Sequence, residues 1–338
     1  MKELAVIEHI RRDFASVRSK TVALGIGDDC AILRPPSGSE VLVTTDFTLE
    51  GRHFRRDLHS AESVGHRCLA RGLSDLAAMG GTPMAAFLSL ALPASLLAEA
   101  KGRAWITHFF SGLRDLARHH RITLAGGDTA QSPSDSILAD IILLGSAPIG
   151  RSLRRSGARP DDALYVTGSL GGAAAELSAM LAGRTRMVKT VTTARPAAQP
   201  QMFPQPRIAV GQALLRRNLA TACMDISDGL STDLAHLCHA SNVAAEIEQA
   251  ALPLHPLARK LTAEAALNAA LHGGEDYELL FAAPASTLMP RQLAGIPITR
   301  IGRFTRKSPK RPWMTLLHPD GTRTPLEPHG WEHFSNHQ

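Results

Sequence analysis

The chain has 338 residues, of which 44% are hydrophobic and 20% are charged, a composition typical of a folded globular protein and not of a disordered one. The 37 Lys and Arg residues outnumber the 31 Asp and Glu residues, but only 4% of the chain is aromatic, which argues against the base-stacking surfaces of a nucleic-acid-binding protein. The length exceeds the usual size of a single hydrophobic core, so we expect two domains, residues 1–148 and 149–338.

No run of the sequence approaches the roughly 20 apolar residues that span a bilayer, and the N-terminus lacks the apolar core of a signal peptide. We therefore expect a cytoplasmic protein with neither a membrane nor a nucleic-acid partner. The cysteines form no C-x-x-C pair, which argues against a zinc site and against a disulfide framework. We expect four buried thiols, at Cys30, Cys68, Cys223 and Cys238, with Cys30 at the buried start of a strand.

The elements predicted for the first half mix strands and helices without a regular alternation. Apolar residues at helical spacing from Leu4 to Val17 predict a first helix. The following segments are predicted as strands at 30–33 and 41–47, a helix at 60–79, a strand at 83–93, a helix at 96–118, and strands at 122–129 and 137–145. This order favours an α+β fold over a doubly wound sheet.

A segment rich in Gly, Pro and charge, residues 147–162, is typical of a domain boundary. The segments after it are predicted as a strand at 163–168, a helix at 172–181, a long surface loop at 183–206, a helix at 207–217, a strand running into 223–230, a helix ending at Ala240, and strands at 277–284, 298–304 and 313–318. The Asp-Gly pair within 318–323 predicts a hairpin turn.

Aspartates recur at the ends of the predicted strands, beside Gly, Ser or Thr. They are Asp28, Asp29, Asp46, Asp128, Asp225 and Asp228, and Asp75 lies within a predicted helix. Each alone could be a turn residue or a helix cap. Adjacent carboxylates repel one another unless a cation or donor groups take up the charge, and oxygen ligands without clustered His or Cys suit Mg²⁺. Together, therefore, these residues predict bound magnesium.

Two common classes of ATP-binding protein are excluded by pattern, because neither the G-x-x-x-x-G-K-[ST] loop nor the protein-kinase motifs occur. Glycine-rich turns lie at 25–29, 126–129 and 167–172, and a helix is predicted to begin near 227–230. Backbone N–H groups at such turns and helix starts can hold phosphate groups. The pattern is therefore consistent with a polyphosphate ligand.

Successive motifs cover nearly the whole chain in order: LGIGDDCA, TTD followed by GRHF, LSDLAAMGGTP, LAGGDT, PIGRSLRRSGARPDDALYVTG, DISDGLSTDLAH and GGEDYELLF. They resemble the signatures of the thiamine-monophosphate kinase family, within the aminoimidazole ribonucleotide synthetase superfamily. The resemblance implies a two-domain α+β fold, with an N-terminal mixed sheet that pairs in a homodimer and a C-terminal α/β sandwich. It also implies phosphorylation of thiamine monophosphate by ATP with several Mg²⁺ ions. Because the acceptor is an ionised phosphate oxygen and no Ser/His/Asp or Cys/His arrangement stands among the motifs, we expect direct transfer without a phosphoenzyme.

Motif by motif, the resemblance implies three groups of site residues. The metal ligands are Asp29, Thr44, Thr45, Asp46, Asp75, Asp128, Asp225 and Asp228, the ATP contacts are Gly127, Asp128, Arg155 and Ser227, and the thiamine contacts are His53, Glu275 and Trp331. An aromatic ring attracts a thiazolium cation, and a carboxylate can accept a hydrogen bond from an aminopyrimidine. Taken alone, Trp331 could equally be a packing anchor and His53 an ordinary loop residue.

The sequence departs from the family pattern at Gly72, where Asn is usual, and at Gly172, where Asp is usual. The Arg that commonly follows the GGDT motif is also missing, since Thr129 is followed by Ala130 and Gln131. The Pro-rich stretch at 194–206 is also longer than we expect for the family. Three alternatives stay open: another ATP-dependent enzyme of the superfamily with a different phosphorylated substrate, a selenophosphate-synthesising enzyme, and a basic nucleic-acid-binding protein.

Overall fold

The computed structural model describes residues 3–14, 16–17, 19–183 and 198–331. The helices are α1 (Glu3–Phe14), α2 (Ala61–Ala78), α3 (Ala94–Ala98), α4 (Ala100–His120), α5 (Gly172–Leu181), α6 (Ile208–Arg216), α7 (Leu230–Ser241) and α8 (Ala263–His272). The strands are β1 (Val22–Leu24), β2 (Ile32–Leu33), β3 (Ser39–Leu49), β4 (Thr82–Leu92), β5 (Thr123–Gln131), β6 (Leu138–Pro148), β7 (Ala163–Thr167), β8 (Ala222–Asp225), β9 (Ala244–Glu248), β10 (Leu279–Ala283), β11 (Gln292–Leu293), β12 (Ile296–Thr305), β13 (Met314–Leu317) and β14 (Arg323–Pro325). The mixed α+β content confirms the predicted fold class.

The described residues divide into two units. The first unit holds the residues up to Leu76 and Gly81–Gly150, and the second holds Ala77–Gly80, Arg151–Ala182 and the residues from Gln199 onward. No helix within the described ranges is long and apolar enough to cross a membrane.

The first unit is built on a four-stranded mixed sheet in the order β3-β6-β4-β5, in which only β4 and β5 run parallel. One face of this sheet packs against α2, because a Cβ placed on Gly72 would meet the side chains of Leu143 and Thr44. Helices α2 and α4 approach each other so closely that a Cβ on Gly65 would lie 1.8 Å from the Phe109 carbonyl oxygen. The helix pair therefore requires glycine at that crossing.

Strand β3 presents two different faces. Its side chains alternate, so Leu42, Thr44 and Asp46 point towards α2 and are at least partly buried. Val41, Val43 and Phe47 point the other way and are 45%, 65% and 58% exposed. We call the surface formed by these three side chains the outer face. Large apolar side chains grouped in this way are unusual on the surface of a monomer.

The second unit is built on a larger sheet in the order β14-β13-β9-β12-β7-β10-β8, with β11 paired to β12. Alternate side chains of its strands form one buried core together with the apolar face of α7, which contributes Leu230, Leu234 and Leu237. The turn between β13 and β14 confirms the predicted hairpin, since the two strands pair antiparallel.

Four predictions about local structure were wrong or incomplete. The helix predicted at 96–118 is two helices, because the backbone of Glu99 is extended (φ −89°, ψ 149°). Within the predicted surface loop, Gln201 and Phe203 are buried, and residues 184–197 lie outside the described residues. Strand β9 and helix α8 were not predicted. Cys30 is exposed, because β2 begins only at Ile32 and leaves Cys30 in the preceding turn; the other three cysteines are buried as expected.

Helix α5 takes its N-terminal cap from a distant part of the chain. The residue before the helix, Gly171, has no side chain with which to cap it. The carboxylate of Asp276 accepts hydrogen bonds from the N–H groups of Gly171 (2.6 Å) and Ala173 (3.1 Å). Burial raises the pKa of Asp276 to about 7, although these N–H donors act to lower it.

We expect this carboxyl group to make folding stability depend on pH. The pKa of Asp276 in the fold is above its ordinary value of 3.8, so between about pH 4 and pH 7 the folded state binds more protons than the unfolded chain, and stability falls as pH rises. A rise of the pKa from 3.8 to about 7 corresponds to a loss of roughly 4 kcal/mol in the free energy of unfolding across this pH range. In thermal unfolding from pH 5 to 8, Asp276→Asn should lose less stability than the wild type. Exposed Asp115→Asn is the control, and parallel profiles for Asp276→Asn and the wild type would contradict the expectation.

Candidate functional site

A cavity of about 560 Å³ in the first unit is lined by two glycine-rich turns. One turn, residues 25–31, supplies Asp28 and Asp29, and the other, residues 126–129, supplies Asp128. Apolar side chains of the neighbouring strand β4, including Phe87 and Leu90, also line the cavity. The structure thus brings two predicted metal ligands, Asp29 and Asp128, to one cavity, together with the predicted ATP contact Gly127.

Local hydrogen bonds fix both turns. The N–H of Asp29 donates to the carboxylate of Asp28 (2.9 Å), and the N–H of Thr129 donates to the carboxylate of Asp128 (2.8 Å). At Gly127 a Cβ would lie 2.0 Å from the Leu88 carbonyl oxygen, so no other residue fits there. All three aspartates remain exposed, which leaves their carboxylates accessible from the cavity.

The chemistry of these donors fits magnesium bound together with phosphate. They are carboxylate oxygens, which Mg²⁺ prefers, and they lie beside backbone that a ligand can approach closely. Among the described residues no three Asp, Glu, His or Cys side chains converge on one point as a complete metal site. Mg²⁺ is usually bound by one or two protein carboxylates and completes its coordination with water and substrate phosphate oxygens.

The predicted ligands of β3 and α2 form a second group. The hydroxyl of Thr44 donates a short hydrogen bond to the carboxylate of Asp75, which lies on α2. One turn earlier on the same helix, Arg71 donates to the carboxylate of Asp46 (2.8 Å). The structure therefore brings Thr44, Asp46 and Asp75 together between β3 and α2. We call the side of the sheet that faces α2 the inner face.

Thr45 lies on the opposite side of the sheet from Thr44 and Asp46. Its hydroxyl donates to the carboxylate of Asp140 on β6 (2.7 Å). Strand alternation requires this separation, since neighbouring side chains of a strand point to opposite faces. The metal ligation predicted for Thr45 stays a prediction. Arg71 was not predicted, although its position four residues before Asp75 on one helix face is a signal for it.

His53 lies in the turn that follows β3. Its Nδ1 accepts a hydrogen bond from the N–H of Leu49 (3.0 Å), which orients the ring. Its carbonyl oxygen accepts from Arg67, whose side chain is almost completely buried. Both the ring and the backbone of His53 are thus held by specific contacts.

In the second unit, the turn between β8 and α7 is organised by Asp233. Its carboxylate accepts hydrogen bonds from the N–H groups of Ser227 (3.0 Å), Asp228 (3.1 Å) and Gly229 (3.1 Å). Burial, and then the charges of Asp225 and Asp228, raise the pKa of Asp233 well above its ordinary value. The sequence analysis missed Asp233, although an acidic residue in the first turn of a helix is a known capping signal.

Two further segments lie against this turn. The N–H of Glu275 donates to the Ser227 carbonyl oxygen (2.8 Å), and the N–H of Trp331 donates to the Asp228 carbonyl oxygen (2.9 Å). The side chain of Trp331 is 48% exposed, which does not favour the packing role. The structure therefore brings together Ser227, Asp228, Glu275 and Trp331, which the sequence assigned to metal, ATP and thiamine.

Arg155 lies apart from that group within the second unit. Its side chain is exposed, and its carbonyl oxygen accepts a hydrogen bond from the hydroxyl of Ser241 (3.0 Å). Ser241 is the last residue of α7, whereas Ser227 precedes the first turn of that helix. The backbone of Arg155 is therefore at the opposite end of α7 from Ser227.

The comparisons with known proteins identify the family. Residues 27–147 match the family described as AIR synthase related protein, N-terminal domain, and residues 159–307 match the corresponding C-terminal domain. Thiamine-monophosphate kinase from Escherichia coli (strain K12) is 40% identical to this chain over 333 residues, which covers 96% of this chain and 97% of the relative.

Solved structures agree with this result. The crystal structure of thiamine-monophosphate kinase from Stenotrophomonas maltophilia K279a has 35% identity and a TM-score of 0.77, and the match covers 91% of this chain and 95% of that chain. The structure described as "AaThiL complexed with AMPPCP and TMP" has 29% identity and a TM-score of 0.74, and covers 98% and 97% of the two chains. The chain belongs to the thiamine-monophosphate kinase family.

Proposed function

We infer that the protein transfers the γ-phosphoryl group of ATP to the phosphate of thiamine monophosphate and forms thiamine diphosphate. The observation that carries this inference is the match of 40% identity over 96% of the chain to a kinase with this activity in its name. The complex of a relative with AMPPCP and TMP supports both substrates. The GGEDYELLF and DISDGL motifs, which lie in contact through Glu275 and Ser227, support the kinase over other enzymes of the superfamily.

The predicted metal ligands are proposed to hold several Mg²⁺ ions at three places. These are the cavity, with Asp29 and Asp128, the side of β3 that faces α2, with Thr44, Asp46 and Asp75, and the second unit, with Asp225 and Asp228. The role of Thr45 stays a prediction. Bound Mg²⁺ supplies charge neutralisation to the reacting phosphates. Gly127 and Ser227 are proposed to contact ATP through their backbone, and the ATP contact of Arg155 stays a prediction, because the backbone of Arg155 lies at the opposite end of α7 from Ser227. We propose that residues 1–148 form a domain that binds ATP and Mg²⁺ and pairs in the dimer, and that residues 149–338 complete the nucleotide and thiamine sites.

The chain needs to supply neither a nucleophile nor a strong base. The acceptor is a phosphate oxygen that is already ionised near neutral pH, so positioning and relief of charge repulsion dominate the reaction. His53, Glu275 and Trp331 are proposed to bind the thiamine end, with the Trp331 ring against the thiazolium cation. The cytoplasmic location stays a prediction.

A direct assay tests the proposed function. Purified protein with ATP, Mg²⁺ and thiamine monophosphate should form thiamine diphosphate, and ATP made chiral at the γ-phosphate should give product inverted at phosphorus. A product from another phosphorylated substrate alone would favour a different enzyme of the superfamily. Net retention at phosphorus would indicate a phosphoenzyme and would contradict direct transfer.

We expect Asp46→Asn and Asp128→Asn each to lower kcat at least about a hundredfold while the protein stays folded, and the double variant to lose little more, because ligands that act as a unit are not additive. Steady-state kinetics at ordinary Mg²⁺ measures this, with the exposed ion-pair residue Asp57→Asn as the control. Near-full activity in either single variant would remove that residue from the metal set.

Arg71→Met distinguishes the two roles open to Asp46. If Asp46 only pairs with Arg71, losing either partner should lower the thermal midpoint similarly and leave kcat nearly unchanged. If Asp46 binds the ion, only Asp46→Asn should abolish turnover.

We expect Trp331→Ala to raise the KM for thiamine monophosphate about tenfold and to leave the KM for ATP unchanged, because cation–π stacking stabilises the bound substrate and the transition state alike. The measurement is a pair of saturation curves with each substrate varied in turn. Trp331→Phe, which keeps an aromatic face, should restore most of the affinity. An unchanged KM for thiamine monophosphate would return Trp331 to a packing role.

The outer face of the first unit supports the homodimer that the resemblance implies. Val41, Val43 and Phe47 expose apolar area on β3, where a second copy of the same sheet could cover them. We expect Val43→Glu with Phe47→Glu to convert a dimer into a monomer in analytical ultracentrifugation. Leu288→Glu, at an exposed apolar position of the second unit, should have no effect. A wild-type monomer, or a dimer that survives the double substitution, would rule out this interface.

A further inference from the structure

Gln201, in the second unit, is hydrogen-bonded to the carboxylates of two glutamates. The side-chain amide of Gln201 donates to the carboxylate of Glu275 (2.8 Å), and the backbone N–H of Gln201 donates to the carboxylate of Glu176 on α5 (2.7 Å). Gln201 is 2% exposed and Glu176 is 4% exposed. A buried amide bound to a carboxylate at short range is a specific arrangement, because an unmade hydrogen bond at such a place is costly.

The backbone at Glu275 and at Tyr277 is held in an unusual conformation. Glu275 and Tyr277 both have positive φ, 67° and 49°, which residues other than glycine rarely adopt. Their N–H groups donate to the carbonyl oxygens of Ser227 and Ile226, so the DISDGL turn imposes this conformation. Strain of this kind persists where surrounding contacts determine it, and it is concentrated at functional sites.

The backbone fixes where the Glu275 side chain begins, but not where its carboxylate lies. A glutamate side chain has three rotatable bonds and loses conformational entropy when it is held in one position. The amide of Gln201 supplies a donor that holds one carboxylate oxygen and adds no charge. A lysine or arginine in its place would bind the carboxylate as an ion pair and compete with a donor on the substrate.

We propose that Gln201 is a positioning residue that orients the Glu275 carboxylate towards the amino group of the substrate's pyrimidine ring. This inference rests on the proposed function, in which Glu275 contacts thiamine monophosphate. Glu176 holds the backbone of Gln201 and so sets the place from which the amide reaches Glu275. The buried residue Gln201 is then part of the substrate site, although it lies in a segment that the sequence predicts as a surface loop.

Gln201→Leu tests the inference, because it keeps the size of the side chain and removes the amide. We expect the KM for thiamine monophosphate to rise about tenfold, the loss that a hydrogen bond to a charged group produces, with the KM for ATP within about twofold of the wild type. Gln201→Asn, whose amide is too short to reach, should behave in the same way. Gln205→Leu is the matched control, since its amide bonds only the nearby Phe203 carbonyl, and its KM should not change.

The exchange variant Gln201→Glu with Glu275→Gln separates positioning from mere stability. It restores an amide–carboxylate hydrogen bond with the partners reversed, so the thermal midpoint should return towards the wild type. The KM for thiamine monophosphate should stay raised, because the carboxylate is no longer at position 275. If the exchange restores this KM, or if Gln201→Leu and Gln201→Asn leave it unchanged, the inference is overturned. A wild-type protein that makes no thiamine diphosphate would instead overturn the proposed function.

Discussion

The second unit depends on carboxylates that accept hydrogen bonds from the backbone of its turns. Asp233 binds three successive N–H groups before α7, Asp276 binds two at the start of α5, and Glu278 binds the N–H of Ser169 (3.3 Å) and the hydroxyl of Thr167 (2.6 Å). Strand ends and helix starts leave N–H groups that regular structure cannot satisfy. Asp233 satisfies them from the first turn of the helix that it caps, whereas Asp276 and Glu278 come from distant parts of the chain. Tertiary contacts therefore fix the turns after β7 and before α5.

Holding turns in this way concentrates negative charge. At Glu278 the charge is balanced by Arg207, which donates two hydrogen bonds of 2.6 Å to the carboxylate. At Asp233 the neighbouring charges are two more carboxylates, Asp225 and Asp228, and they raise its pKa instead of lowering it. A turn that gathers carboxylates gains stability when a cation binds there. The same contacts that fix the turn therefore gather the carboxylates that we propose as metal ligands, and binding of Mg²⁺ there would stabilise the folded turn.

The sequence predicted most of the elements with strong periodicity, and it predicted less of what lies between them. Helix α5 and strand β4 were predicted nearly to the residue, because their apolar patterns are continuous and their ends carry Gly or Pro. Strand β9 was missed although Ala245, Glu246, Ile247 and Glu248 alternate, because the run is short and Ile247 is its single β-branched residue. Cys30 was misjudged because the strand begins two residues later than the apolar run suggests.

The contact between Gln201 and Glu275 could not be predicted in the same way. The two residues are separated by 74 positions, and no local pattern indicates that an amide in a Pro-rich segment reaches a carboxylate after two glycines. Motifs name the residues that touch the substrate, whereas the residues that orient them are defined only by the fold. Asp233 and Arg71 also contact a predicted ligand residue or its turn, but a local signal marks each of them: Asp233 lies in the first turn of a helix, and Arg71 lies four residues before Asp75 on one helix face.

Strand β3 shows how closely the proposed chemistry and assembly are connected. Its inner side chains, Thr44 and Asp46, contact α2, and the side chains of Val41, Val43 and Phe47 form the outer face on the other side of the strand. A shift of the strand by one residue would exchange the two sets, placing apolar groups against Asp75 and carboxylate at the surface. The register with β6, which places Asp46 opposite Ile141, therefore fixes both faces at once. Covering the outer face with a second copy would stabilise that register, and with it the position of Asp46 on the inner face.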